Sequence, residues 1–385
     1  MKIGFYIDDM IYKISGTGSY TAYLVCAIQH IFKDAQNYFI TECYHKNDTI
    51  DTKTFVDNTN MHYGSTLEYS TTNLILIKAN KSNRIQSLFT RKRIENTSKK
   101  FDIFFYCSRG NYIFKAKKNI AIIHFPIERL IFQKSNASLL TRMRMSFKDK
   151  QFANRYAFFF PNSDFTRKAL ERYWPNIDSD KIVTVYPPVS KIPPLETKKE
   201  NQILVCSRIE KSKKLDILIS AFKSSEYLSN HFKLIIAGGL TKDFAHYKKE
   251  LEELSAGFNI EIIVNAPRDK IVALYNQSKI FWHSKGYDID DITNPYQCEH
   301  FGITTVEAMS AGCVPIVINR GGQKEIVNET CGFLWNSVEE LILYTEKVAQ
   351  NPELLQAMAQ IAIERSEYFS VAHFEKQLET ILARL

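Results

Sequence analysis

A parallel sheet is implied by one recurring pattern in this chain: short, almost uninterrupted apolar runs alternate with stretches of helical periodicity. The runs fall near 2–7, 37–44, 74–78, 102–107, 119–125 and 156–162, and again near 202–207, 232–238, 260–265, 279–284, 314–318 and 332–335. A strand apolar on both faces must be covered on both faces, and helical crossovers between parallel strands supply that cover. A chain of 385 residues has room for two such domains, each with its own core. The alternation is interrupted at Pro187-Pro188 and Pro193-Pro194, followed by the polar stretch 196–201. Proline clusters end elements, so this is the expected linker. The expected division is 1–187, 188–368 and a closing helix within 369–385.

The segment from Cys298 to Pro315 carries the strongest chemical signal. Glu299 and Glu307 flank Phe301-Gly302-Ile303-Thr304, and Ala308-Met309-Ser310-Ala311-Gly312 follows. If a turn closes at Gly302 and a helix opens at Ile303 or Thr304, the amides of its first turn point between the two carboxylates. A helix start of that kind binds phosphate, and flanking carboxylates accept hydrogen bonds from sugar hydroxyls. The ligand implied is a sugar nucleotide. Upstream, Arg208 ends an apolar strand and Lys213 follows five residues later, before a helix beginning near Leu215. Two cations there can stabilise a departing diphosphate more than its ground state.

These motifs resemble those of retaining GT-B glycosyltransferases of family 4: a Glu-x7-Glu motif, and an Arg-x4-Lys pair usually followed by Gly where this chain has Lys214. The resemblance implies a fold of two facing Rossmann-like domains with parallel sheets and an interdomain cleft. It also implies a closing helix that returns to the first domain. Glu299 would contact the transferred sugar, Phe301, Gly302, Ile303 and Thr304 would line sugar and diphosphate, and Glu307 would hold the ribose. Either Lys213 or Lys214 could be the phosphate ligand. Gly16-Thr17-Gly18-Ser19-Tyr20 resembles the family's glycine-rich loop after its first strand, with Gly16 and Gly18 facing diphosphate and acceptor. Ser19 stands where a basic residue is frequent. His124, at the end of an apolar run, takes the place of a histidine near the reaction centre, and Phe125 follows where the family usually has Asp. Asn265, Pro267 and Arg268 are candidates for the base pocket. His231, His283 and His300 have weaker claims, and Gly321-Gly322 matches a glycine turn.

The activity implied is retaining transfer of a hexose from a nucleotide diphosphate sugar to a hydroxyl of a glycan or lipid-linked glycan in surface polysaccharide biosynthesis. GDP-mannose is the favoured donor, with UDP-sugars open, and no metal is required. Other classes are a sugar-nucleotide epimerase and a catalytically silent sugar-nucleotide-binding subunit. A phosphorylase would need a cofactor lysine site that the sequence does not show.

Charge divides unevenly: residues 1–185 hold 28 Lys and Arg against 16 Asp and Glu, and 186–385 hold 22 against 26. Clusters at 91–93, 99–100, 115–118 and 142–150 sit among Phe, Ile, Leu and Met, a mixture suited to an anionic membrane face. No nucleic-acid recognition motif accompanies them. No run approaches the ~20 apolar residues of a spanning helix, and no signal-peptide pattern precedes the first strand, so a cytoplasmic or peripheral protein is expected. The cysteines at 26, 43, 107, 206, 298, 313 and 331 have no metal-ligand spacing. They read as reduced and mostly buried. Asp288, Asp290 and Asp291 lack the order and central Gly of a calcium loop.

Overall fold

The computed structural model describes residues 1–8, 10, 16–44, 50–79, 84–108 and 112–385. The chain divides into two units, Met1–Pro188 with Val371–Leu385, and Val189–Ser370. In the first unit β1 (Lys2–Tyr6), β2 (Gln36–Cys43), β3 (Thr72–Lys78), β4 (Ile103–Tyr106), β5 (Lys118–Ile123) and β6 (Phe158–Pro161) form a sheet in the order β3-β2-β1-β4-β5-β6. All of its pairings are parallel. Alternate residues feed opposite faces, as the two-residue period requires. Ile3, Phe5, Ile103, Phe105, Ile120 and Ile122 join one core with the helices Gly16–Ile31 and Val371–Leu382. Tyr6, Phe104, Tyr106, Ala121 and Ile123 join the other, with Phe152 and Leu170 from the helices Leu139–Arg155 and Asp164–Tyr173.

The second unit repeats the plan with β7 (Glu200–Cys206), β8 (Lys233–Gly238), β9 (Ile260–Val264), β10 (Ser278–His283), β11 (Val314–Ile318) and β12 (Phe333–Trp335). Its order is β12-β11-β10-β7-β8-β9, again wholly parallel. Every strand lies within two residues of the apolar run that foretold it. In each sheet the strand order reverses once, between β1 and β4 and between β7 and β10. A crevice opens at such points outside the carboxyl ends of the strands, where sheets of this kind bind ligands.

The proline-rich stretch beyond Val189, read as the linker, is tied to the second unit. Ile192 donates its amide to Ser310 Oγ at 3.1 Å, Leu195 to Asn276 Oδ1 at 3.1 Å, and Lys199 Nζ to the carbonyl of Ser278 at 2.7 Å. Buried polar partners thus fix it to the second unit. Gly16 and Gly18 are not loop residues but lie in the first turn of the helix Gly16–Ile31. Ile14 and Ser15, read with them as the loop, lie outside the described residues. Among the described residues no helix is long and apolar enough to cross a membrane.

Candidate functional site

The carboxyl ends of β7 and β10 assemble the charged centre of the second unit. After β7 the chain makes a short 3-10 turn, Lys211–Lys213, and Lys214 takes a left-handed conformation (φ 54°) that starts the helix Leu215–Ser224. Lys214 offers no capping hydrogen bond, so Tyr247 Oη accepts the Leu215 amide instead, at 3.1 Å. From the end of β10, Ser284 Oγ donates to the carbonyl of Lys213 at 2.8 Å, locking the turn so that the Lys213 side chain reaches Glu299. The two cations expected to converge each have a carboxylate: Lys213 Nζ is 2.6 Å from Glu299 Oε2, and Arg208 Nη1 is 2.9 Å from Glu210 Oε2. Lys213 is largely buried, whereas the Arg208 side chain is 69% exposed.

Glu299 gathers two further groups that sequence reasoning left out or ranked low. His283 Nε2 lies 3.5 Å from Oε2, and Lys285 Nζ 3.9 Å from Oε1. Burial alone would raise the Glu299 carboxyl, but the Lys213 and Lys285 ammonium groups, with His283, hold it well below its ordinary 4.5. Burial also pushes His283 below 6.5 and Lys285 below 10.5, with Glu299 opposing both shifts. Below pH 6.5 the unfolded chain therefore protonates His283 before the folded one does. Its stabilising contribution is full above that pH and falls on acidification. The contribution of Glu299 is full above 4.5 and is lost as pH falls through its lower folded value. Urea denaturation across pH should thus show stability falling in two stages. His283→Asn should abolish the first, and a first stage surviving in that variant would assign it to another group.

The second carboxylate sits as its spacing foretold. Gly302 (φ 143°) opens the helix Ile303–Ser310, with half-buried Ile303 and Thr304 in its first turn and Glu307 one turn in. The backbone before it is held by the glycine turn after β11. Gly321 is left-handed (φ 59°), and a Cβ there would stand 2.2 Å from the carbonyl of Glu299. That same carbonyl accepts the Gly322 amide at 2.8 Å. Glu307 receives Arg268 Nη2 at 2.7 Å and Tyr275 Oη at 3.0 Å. Phe301 is buried edge-on against Phe369, ring centres 5.4 Å apart. It supports the turn from within the core. Asn265, also left-handed (φ 53°), spends its side-chain oxygen on the Leu240 amide at 2.9 Å. Pro267, exposed, caps the helix Arg268–Gln277.

In the loop after β10, Asp291 accepts Lys324 Nζ at 2.7 Å, and Asp290 accepts the Ile292 amide at 3.0 Å. Asp290 thus holds a local turn, and Asp291 ties the loop to the segment after β11. Among the described residues no cluster of His, Cys, Asp or Glu could hold a metal ion.

In the first unit, His124 follows β5, its carbonyl 3.4 Å from Thr166 Oγ1 and its ring edge-on to Tyr20 with centres 5.6 Å apart. Tyr20 lies on the helix Gly16–Ile31, which thus brings Gly16, Gly18 and His124 to the carboxyl edge of one sheet. A Cβ on Gly18 would stand 2.2 Å from Tyr63 Oη, so close packing of that tyrosine requires this glycine.

Residues 190–365 match the family described as Glycosyl transferases group 1. This segment is a group 1 glycosyltransferase domain. It holds Arg208, Lys213, His283, Lys285, Glu299 and Glu307, the charged groups described above. Among curated relatives, the GDP-Man:Man(3)GlcNAc(2)-PP-Dol alpha-1,2-mannosyltransferase of Dictyostelium discoideum is 25% identical over 237 residues, covering 56% of this chain and 45% of that one. The alpha-1,3/1,6-mannosyltransferase ALG2 of Saccharomyces cerevisiae is 23% identical over 321 residues, covering 70% and 63%. The matched part thus spans about half the length of the first of these relatives. Among solved structures, Anabaena HepE in complex with UDP and glucose superposes with a TM-score of 0.73 at 16% identity, covering 100% of both chains. The sucrose-phosphate synthase of Thermosynechococcus elongatus also gives 0.73, at 14% identity, over 100% of this chain and 98% of that one. The chain has the GT-B fold, with the transferase domain forming its second sheet.

The transferase domain contains functional candidates beyond the motif residues. Lys285 and Ser284 were passed over because they follow β10 rather than a recognised motif. The signal that could have found them is their place at the carboxyl end of a parallel strand, the same argument that singled out His124. Only the fold reveals the Tyr275 hydroxyl on Glu307.

Proposed function

We propose that the chain is a retaining hexosyltransferase that moves mannose from GDP-mannose to a hydroxyl of a glycan or lipid-linked glycan in surface polysaccharide biosynthesis. The observation that carries this reading is the Lys213–Glu299 pair at 2.6 Å, beside a helix start whose first turn ends at Glu307. An ammonium has three N–H donors, and Glu299 takes one of those on Lys213. The remaining donors, the exposed Arg208 and the amides at Ile303 and Thr304 suit a diphosphate. Glu299 and His124 orient the sugar, Glu307 takes the ribose, and Asn265, Pro267 and Arg268 border the base. In the reaction the glycosidic C–O bond breaks toward the diphosphate while the acceptor oxygen bonds the same face of the anomeric carbon. The acceptor proton passes to the departing phosphate oxygen, so no separate base is needed. Fixed cations perform the charge stabilisation a metal would otherwise supply, and the reaction is metal-independent. A lipid-linked acceptor places the enzyme at the cytoplasmic face of a membrane.

GDP-mannose is preferred because the curated relatives above are mannosyltransferases, one of them named for GDP-Man. Melting the purified chain with GDP-mannose and with UDP-sugars tests this, since a ligand that binds only the folded state raises Tm. GDP-mannose at a hundred times its Kd should add about 2.7 kcal/mol, unaltered by chelator. A shift confined to UDP-sugars would overturn the donor assignment, and one abolished by chelator would overturn metal independence.

A further inference from the structure

We propose that the outer face of the helix Leu139–Arg155 docks on an anionic lipid bilayer. Leu139, Leu140, Met143 and Phe147 are 75, 59, 62 and 63% exposed. At 3.6 residues per turn they fall on one arc of about 100°. Large apolar side chains grouped on one face mark an interaction site, whereas scattered ones do not. The opposite arc is anchored in its carboxyl half. Asp149 is buried in an ion pair with Arg129, and Arg129 stacks over the Trp174 ring at 5.3 Å. Phe152 lies against the same ring, centres 4.5 Å apart. These contacts fix the carboxyl half of the helix in the first unit and leave its first turns facing out.

The charge on this helix selects the occupant. Arg144, Lys148 and Lys150 are exposed, and the one acidic residue of the helix, Asp149, is consumed by Arg129. Arg142 is tied to the helix entry, its Nη2 donating to the carbonyl of Ser135 at 2.9 Å. The apolar arc is therefore bordered by cations, with no exposed carboxylate on the helix to offset them. Apolar residues that can enter the headgroup boundary, edged by cations that meet lipid phosphates, are the signature of a helix lying in a membrane interface. The inference stands on this surface alone, and its failure would leave the donor assignment untouched.

Vesicle sedimentation of the full chain tests it, with phosphatidylcholine alone and with phosphatidylcholine containing phosphatidylglycerol. Binding to the anionic vesicles, weakened by salt and much lower on neutral ones, is expected. Arg144→Gln and Lys148→Gln should each weaken it roughly fivefold, and Met143→Ser with Phe147→Ser about tenfold or more. All the altered side chains are exposed, so Tm should stay unchanged, and the charge variants keep the test valid if the apolar pair alters folding. No binding to anionic vesicles, or binding indifferent to these changes, would overturn the proposal. So would a dimer in size-exclusion chromatography that the apolar variant converts to monomer, since a second copy would then cover the face.

Discussion

Glu299→Gln is expected to lower kcat/KM by at least about a hundredfold, the loss typical of removing one preorganised polar contact from a transition state. The substitution keeps the shape of the side chain and removes its charge. Lys213 at 2.6 Å and Lys285 at 3.9 Å would then face each other without the carboxylate that separates them. Breaking a buried ion pair from one side costs about 3–5 kcal/mol. Glu299 keeps 23% of its side-chain surface in water, so about 2 kcal/mol is the better expectation here. The variant should therefore melt lower yet still fold cooperatively, and its loss of turnover should greatly exceed its unfolded fraction at assay temperature. Steady-state kinetics beside urea denaturation checks both. Wild-type turnover in the variant would remove Glu299 from the site.

The sheets were legible because their strands are buried on both faces, and burial of that kind writes itself into the sequence as runs such as Ile203-Leu204-Val205 and Phe158-Phe159-Phe160. The segments Arg208 to Lys213 and Glu299 to Glu307 were legible for a related reason. Each is one turn joining a strand or loop to a helix, so its chemistry lies within a few consecutive residues. His283 and Lys285 were harder to read because they meet Glu299 only where the loop after β10 returns, and that return is held by the glycine turn after β11 rather than by any local spacing. Gly16 and Gly18 misled in the opposite sense. Gly-x-Gly suggests a loop, yet the helix begins at Gly16, and packing of Tyr63 accounts for Gly18. Asn265, a candidate for the base pocket, has its side-chain oxygen on the Leu240 amide, a contact between two loops that no local spacing encodes. In these cases tertiary contacts, rather than local propensity, decided the packing.

Lys213 and Lys214 are adjacent and chemically identical, and the structure gives them opposite expected phenotypes. The Lys213 side chain, with 12% of its surface exposed, points into the charged centre. Lys213→Met removes a cation from the place where the leaving diphosphate gathers charge, and should lower kcat by about 10²–10³. It also leaves Glu299 with Lys285 and His283 as its remaining partners, so the Glu299 carboxyl should rise toward its ordinary range. The acid limb of the stability profile attributed to Glu299 should then shrink. Lys214 matters through its backbone. A non-glycine residue at φ 54° is strained by its Cβ, at a cost of roughly 1–2 kcal/mol. Glycine relieves that strain but adds freedom to the unfolded chain. Lys214→Gly should leave turnover within about twofold and stability unchanged or higher by up to about 1 kcal/mol. Parallel kinetics and urea denaturation of the two variants decide the register. If Lys214→Gly loses turnover and Lys213→Met does not, the phosphate ligand is Lys214 and the pairing with Glu299 is structural only.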